Sequence, residues 1–371
     1  MLDLAAHFSQ FLGAVPGRLH FAAHSHHPWP DVTRAAQMQV WDNAARLMDG
    51  KWAPILGHKW PELQKAIAQL LNLPDPATLA YAPNTHEFVC RILASLPAGR
   101  LPRVLTTGAE FHSFTRQVAR LEEEGLLAVT RVAPERLAET AAQGFDLIWA
   151  SHVLFNSGQV VGGLEALAAA AGEAVLVVDG YHSFMAMPVD WSGLAGRAFY
   201  LSGGYKYAMG GEGCCFMHCP PGWLARPRNT GWYAAFGGLD EGWQGVPYAA
   251  DGWRFMGATF DPSGIYRLHA ALNWAESVEA TPVTIHAHAH ALQARFMAGL
   301  QGMWEDRLVI SLAQPRGNFL TFELPDAEAW QARLEAAQII SDRRGTRLRV
   351  GFGLYHTESD VDALVERMRA L

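Results

Sequence analysis

The chain has 371 residues, half of them hydrophobic and 18% charged, with a formal net charge of −7. That composition sustains a large core and one larger plus one smaller domain, and without any lysine- or arginine-rich block nucleic-acid binding has no electrostatic support. No apolar run reaches spanning length, Met1-Leu2-Asp3-Leu4 has no basic region ahead of a hydrophobic one, and four cysteines make no disulfide scaffold. A soluble protein of the reducing cytoplasm, with no membrane partner, is expected.

Leu4, Phe8, Phe11 and Leu12 stand at helical spacing and predict an amphipathic helix over the first twenty residues. Four histidines follow in eight positions, His20, His24, His26 and His27. Pro28 and Pro30 make this segment irregular and extended, and no cysteine or carboxylate completes a ligand set, so a metal role is disfavoured. Residues 32–73 read as helical. Leu79–Ala82 reads as a short strand turning into a helix at Asn84 or Thr85, where free backbone N–H groups suit a plain N-cap or a phosphate seat. Strands are then predicted around Val104–Thr107, Leu126–Val132, Phe145–Ser151, Ala174–Asp179, Ala198–Leu201 and Cys214–Met217, with helices between several of them. This alternation predicts an α/β fold with a mostly parallel sheet and right-handed crossovers.

Cys214, Cys215 and Cys219 resemble a zinc cluster at first sight. Neighbours on a strand point to opposite faces, so they read as small buried hydrophobes, and no metal site is expected. The stretch from Pro220 to Trp253 is loop-like and rich in glycine and tryptophan, including Trp232 and Trp243. One long helical stretch is expected from Gly264 to about Leu300. Leu308–Leu312, Asn318–Phe322 and Arg347–Phe352 then read as strands of a smaller C-terminal domain. The implied division is an arm over 1–20, a large domain over 21–255 and a small one over 256–371.

Two stretches carry the chemistry. Lys206 stands between Tyr205 and Tyr207, flanked by glycines, at the end of one strand and ahead of another. If buried there, its amine would lose basicity and be freed to attack a carbonyl carbon; a solvated loop lysine fits the same spacing. Asp179 ends an apolar run and is followed by Gly180-Tyr181-His182. Functional residues in parallel sheets collect past the strand ends, so Asp179 and Lys206 can face one crevice. Pyridoxal phosphate (PLP) needs this pair, a lysine for the Schiff base and a carboxylate to keep the pyridine nitrogen protonated.

Asp179-x-x-His182 followed by Tyr205-Lys206-Tyr207 and Gly210-Gly211-Glu212-Gly213 resembles the class V aminotransferases of PLP-dependent fold type I, most closely the kynureninase group. The resemblance implies a seven-stranded, mostly parallel sheet between helices plus a small C-terminal α/β domain. It implies a phosphate seat at Thr85 and the His86 backbone, and ring stacking by Phe111, with His112 the second choice. Ser151 would bond the ring, and His182 and Tyr205 would fix ring and phosphate. Gly231-Trp232-Tyr233 and Gly257-Ala258-Thr259 resemble segments that reach the phosphate, the second from a partner subunit, so a homodimer with shared sites is implied. His24 or His26 would line the substrate pocket. Arg349, ahead of Val350-Gly351-Phe352, would fork onto the substrate α-carboxylate, with Arg347 and Arg344 the alternatives.

The implied activity is hydrolytic Cβ–Cγ cleavage of an amino acid. Transamination to a 2-oxo acid is the alternative within the class, and a non-catalytic PLP-binding module the alternative outside it. A desulfurase would need a catalytic cysteine late in the chain, and no cysteine follows Cys219.

Overall fold

The structure is a computed structural model and describes residues 2–238 and 245–371, so Trp243 lies outside the described residues. The N-terminal segment gives a two-residue strand, β1 (Leu19–His20). The central sheet follows, with β2 (Leu79–Ala82), β3 (Arg103–Thr107), β4 (Ala128–Val132), β5 (Leu147–Ser151), β6 (Val175–Asp179), β7 (Ala198–Gly203) and β8 (Cys215–His218). Its order is β2-β8-β7-β6-β5-β3-β4. Only β8 runs against its neighbours, so the carboxyl ends of the other six strands share one edge. This is the mostly parallel seven-stranded sheet expected. Among the described residues no helix is long and apolar enough to cross a membrane.

Burial on both faces explains the unbroken apolar runs of β5, β6 and β7. On one face the helix Trp60–Leu71 buries Trp60, Leu63, Ile67 and Leu71. On the other, Thr85–Ala94 buries Phe88, Val89, Ile92 and Leu93. Cys214 packs in the first of these clusters, and Cys215 and Cys219 pack in the second. Strand alternation thus parts the neighbouring thiols as anticipated.

The C-terminal part forms a three-stranded antiparallel sheet of β9 (Phe319–Glu323), β11 (Asp342–Arg344) and β12 (Arg347–Gly351), ordered β11-β12-β9. The remaining strand, β10 (Ile339–Ile340), takes β1 as a parallel partner. Leu19 and Phe21 therefore sit in the C-terminal apolar cluster with Phe296, Phe322 and Phe352.

Several expected elements are interrupted. The first twenty residues form a 3-10 turn, Ala5–Phe8, and a single helical turn, Ser9–Gly13. The stretch 32–73 breaks after Leu47, where Met48 takes a positive φ of 50° ahead of Asp49-Gly50. The expected helix from Gly264 to Leu300 is two helices, Ser263–Ser277 and Pro282–Leu300. Pro282 has no N–H to continue a helix, and Thr281 caps the second with a reciprocal Thr284 bond. Leu308–Leu312 is no strand. Leu308 makes one bridge to Phe322, and Ser311 and Gln314 then close a turn.

The lysine-bearing turn after β7 is held from within and from behind. Gly204 N donates to Cys214 O at 2.9 Å, and Gly210 N donates to Gly204 O at 2.8 Å. Tyr207 O–H donates to Asn318 O and Phe352 O, at 3.0 and 3.1 Å, tying the turn to the C-terminal sheet. A Cβ on Gly210 would lie 2.6 Å from Leu268 Cα, which is backbone and cannot rotate away. Gly210→Ala is therefore expected to push the helix Ser263–Ser277 off the turn, at a cost of roughly 1–3 kcal/mol. Thermal unfolding together with PLP titration checks this. An unchanged melting temperature and unchanged cofactor affinity would show that the turn is free to move.

Candidate active site

Five strand ends build one small cavity. It is lined by Thr85 after β2, Phe111 after β3, Ser151, Val153 and Phe155 at and after β5, and Asp179, Tyr181 and His182 at and after β6, with Tyr205 and Lys206 from the turn after β7. Ser151 and Asp179 face each other in register across β5 and β6. Thr85, Phe111, Ser151, Asp179, His182, Tyr205 and Lys206 are thus brought together as the sequence suggested.

Lys206 is only 5% exposed. Its Nζ lies 2.7 Å from His182 Nε2 and 4.6 Å from the centre of the Tyr181 ring. The Phe111 and Tyr205 rings stand at 5.6 and 5.8 Å. Burial pulls the amine well below the usual lysine range, and the Asp179 charge restores only part of that. Burial also drives His182 far down, so its neutral Nε2 accepts an N–H from Lys206. Asp179 is pushed up by burial, against the Tyr181 N–H bond at 2.9 Å and the Lys206 charge. The pair is one buried acid beside one buried base.

Behind this cavity sits a second charged cluster. Arg349 is 2% exposed, and its guanidinium donates to Phe155 O and to Asp342 Oδ2. Asp342 Oδ1 accepts from Arg344 at 2.6 Å, and His24 Nε2 lies 3.6 Å from Oδ2. His24 is buried and stacked on Phe319, with ring centres 4.5 Å apart. Burial and Arg349 hold it neutral, at about 3. The arginine expected to await a substrate carboxylate therefore already holds one from its own chain. Neither Asp342 nor this pairing was anticipated.

Other expected residues lie apart from the cavity lining. His26 is exposed, stacks on Tyr205 with ring centres 5.2 Å apart, and stands 3.7 Å from Glu212. His86 faces a different hollow beside His112 and Arg116. Trp232 is 43% exposed and stacks on Tyr233, with ring centres 4.1 Å apart. Thr259 lines a separate cavity with Arg91 and Gly257. Arg347, at the start of the central strand of the small sheet, pairs with Glu323 of β9 at 2.9 Å. Glu110, by contrast, went unremarked although it is buried and bonded to Ser151 at 2.5 Å.

The lining suits PLP. His182 Nδ1 is buried without a hydrogen-bond partner, which leaves a polar atom for a ligand to satisfy. The helix Thr85–Ala94 opens at the cavity with Asn84 capping only the Glu87 N–H, so further amides of its first turn are left for an anion. Lys206 and Asp179 supply the amine and the carboxylate, and Phe111 an aromatic face.

Comparison with known proteins agrees with this layout. Residues 43–364 match the family described as Aminotransferase class-V. The isopenicillin N epimerase of Streptomyces clavuligerus is 27% identical over 366 residues, which cover 88% of each chain. Among solved structures, the cystine C–S lyase C-DES with its product cysteine persulfide superposes with a TM-score of 0.80 at 19% identity, covering 96% of this chain and 98% of that one. A cysteine desulfurase from Thermococcus onnurineus NA1 superposes at 0.78, also at 19% identity, covering 95% of both. A C-DES variant with glycine linked to the PLP cofactor reaches 0.81 at 19% identity, covering 97% of this chain and 98% of that one. The chain belongs to the class V aminotransferase family of PLP-dependent enzymes.

Proposed function

We propose that the chain carries PLP on Lys206 and hydrolyses the Cβ–Cγ bond of an amino acid with an aromatic acyl side chain, as kynureninase-like enzymes do. The observation that carries this reading is the buried Lys206 amine, set between Asp179 and His182 inside a wall of Phe111, Phe155, Tyr181 and Tyr205 rings. When bound, PLP supplies an electron sink that weakens the bonds around the substrate Cα. Asp179 pairs with the ring nitrogen and keeps it protonated. His182 uses its spare Nδ1 or its Lys206-facing Nε2 to hold the ring, and Phe111 covers one face and excludes water. Thr85 and the first-turn amides hold the phosphate. Lys206, with its lowered basicity, takes and returns protons at the substrate carbon near neutral pH.

The substrate carboxylate goes to the arginine cluster. Asp342 already occupies Arg349, so the incoming carboxylate either exchanges with Asp342 or binds the partly exposed Arg344 on the same aspartate. As the resemblance implies, Trp232 reaches the phosphate, a second copy of the chain completes its seat through Thr259, and His26 lines the substrate approach. The epimerase relative supports a second reading in which a proton is removed at Cα and no carbon–carbon bond breaks: it returns to Cα in epimerisation, whereas in transamination the amino group leaves instead.

One set of assays separates these readings. With PLP the protein should absorb visible light, and borohydride should fix the cofactor mass on the Lys206 peptide. Lys206→Ala should lose both signals. Kynurenine or 3-hydroxykynurenine should then release an anthranilate and alanine in equal amounts. Deuterium entering Cα from heavy water, or pyridoxamine formation, in either case with no aromatic product released, would assign the second reading. Bound cofactor without turnover of any amino acid would leave only the binding module.

The Asp342 cluster gives a further expectation. Arg349, His24 and Arg344 hold the Asp342 carboxyl below the usual carboxylate range despite its burial. A depressed folded value means stability present above the unfolded value of about 3.9 and lost as pH falls through the folded one. Asp342→Asn should cost about 3 kcal/mol at pH 7, because it leaves Arg349 buried without its anion. Urea unfolding at pH 7 and pH 3 reads the effect. The gap between wild type and variant should narrow at the lower pH, and a gap independent of pH would contradict the ion pair.

A further inference from the structure

Glu110 follows β3 and has no part in the chemistry above, yet it is only 4% exposed. Both of its carboxyl oxygens meet hydroxyls. Thr107 Oγ1 donates to Oε1 at 2.6 Å, and Ser151 Oγ donates to Oε2 at 2.5 Å. Thr107 Oγ1 also accepts the Ala109 N–H at 3.1 Å, which commits the threonine proton to Glu110. Ser151 differs because it lines the Lys206 cavity and stands in register with Asp179.

A serine hydroxyl has one proton to give. While Glu110 is ionised, that proton points into the carboxylate, and Ser151 shows the cavity only lone pairs. When Glu110 is protonated, its own O–H donates to Ser151, and the serine proton turns to the cavity. We propose that Glu110 is a positioning residue that sets, through Ser151, whether the cavity offers the bound cofactor ring a hydrogen-bond donor or an acceptor. The proposal rests on the reading that PLP occupies the Lys206 cavity.

The surroundings keep Glu110 switchable. Burial and the Asp179 charge push it up to about 7, against the two hydroxyl bonds and the Ser151 backbone N–H. Asp179 is the charged group facing it from β6, itself opposed by Lys206. Among the described residues of β3 and β5, the neutral Thr107 and Ser151 reach it, and the following His112 turns to Phe155, with ring centres 5.1 Å apart.

Glu110→Gln discriminates well because Thr107 holds the amide oxygen, so the amide NH2 faces Ser151 and fixes the serine proton toward the cavity. The readout is the visible absorbance of the PLP-loaded protein between pH 5.5 and 9. Wild type should show a spectral step near pH 7 that Glu110→Gln loses, remaining in the low-pH form. Ser151→Ala should lose the same step, and adding Glu110→Gln to it should change nothing further. A step that survives in Ser151→Ala, or a double variant displaced as far as Glu110→Gln displaces wild type, would overturn the proposal. Should Glu110→Gln fail to fold, Ser151→Ala still decides it. Loss of visible absorbance in wild type itself would instead sink the cofactor reading.

Discussion

The constraint on which this site depends is the cost of holding an amine in a dry, aromatic cavity. An unpaired buried ammonium is too expensive to persist, so Lys206 either sheds its proton or finds an anion. The fold provides for both. Asp179, at the end of the neighbouring β6, lies close enough to restore part of the lost basicity, and the neutral His182 Nε2 at 2.7 Å accepts a hydrogen bond without adding charge. The sheet order makes this possible, because β6 and β7 are parallel neighbours and their carboxyl ends open on the same edge. A shift of one residue in either strand would turn these side chains to the other face of the sheet.

The second charged cluster follows the same logic one layer back. Arg349 is more deeply buried than Lys206 and cannot discard its charge, so it needs a permanent anion. Asp342 supplies it from β11, the adjacent strand, where it is the register partner of Arg349. His24 closes the cluster, and it is carried there because the segment after β1 runs along β12, with Ala22 bridged to Gly351. The N-terminal histidines are thus bound to the C-terminal sheet by backbone pairing, and their closeness to the site is a consequence of that pairing.

Much of this was legible in the sequence where local rules decide. Val175–Val178 ahead of Asp179 reads as a buried strand end from local pattern, whereas Tyr205-Lys206-Tyr207 between glycines fitted a solvated loop as well until Asp179 was set beside it. The parting of Cys214 from Cys215 followed from strand alternation alone. Misreadings came where a long-range partner decides. Asp342 drew no reading in the sequence, because only the pairing of β11 with β12 puts it beside Arg349. The helix expected to run past Ser277 ended at a visible signal, Thr281-Pro282, which a capping argument would have caught. Glu110 was also within reach, since a carboxylate just past β3 obeys the same strand-end rule that singled out Asp179. What the sequence could not supply was Ser151 Oγ, brought to Glu110 from a strand 41 positions away.

These arrangements bear on which bond the site breaks. Cα proton exchange needs only the lysine and a held carboxylate, whereas Cβ–Cγ cleavage also needs the side chain fixed so that a second bond comes into line. Phe111 and Phe155 meet edge to face at 5.3 Å, and Tyr181 and Tyr205 stand 4.8 Å apart, so the cavity has aromatic walls on more than one side of Lys206. Such walls offer little to a small polar side chain and much to a planar ring, which offset and edge-on contacts hold at low entropic cost. The single-chain cavity is nonetheless lined by aromatic groups that also suit the cofactor ring. The distinction therefore turns on the groups around Arg344 and Arg349. On the proposed reading, a carboxylate anchored there, behind Phe155, would fix one end of the substrate and leave the aromatic walls to fix the other.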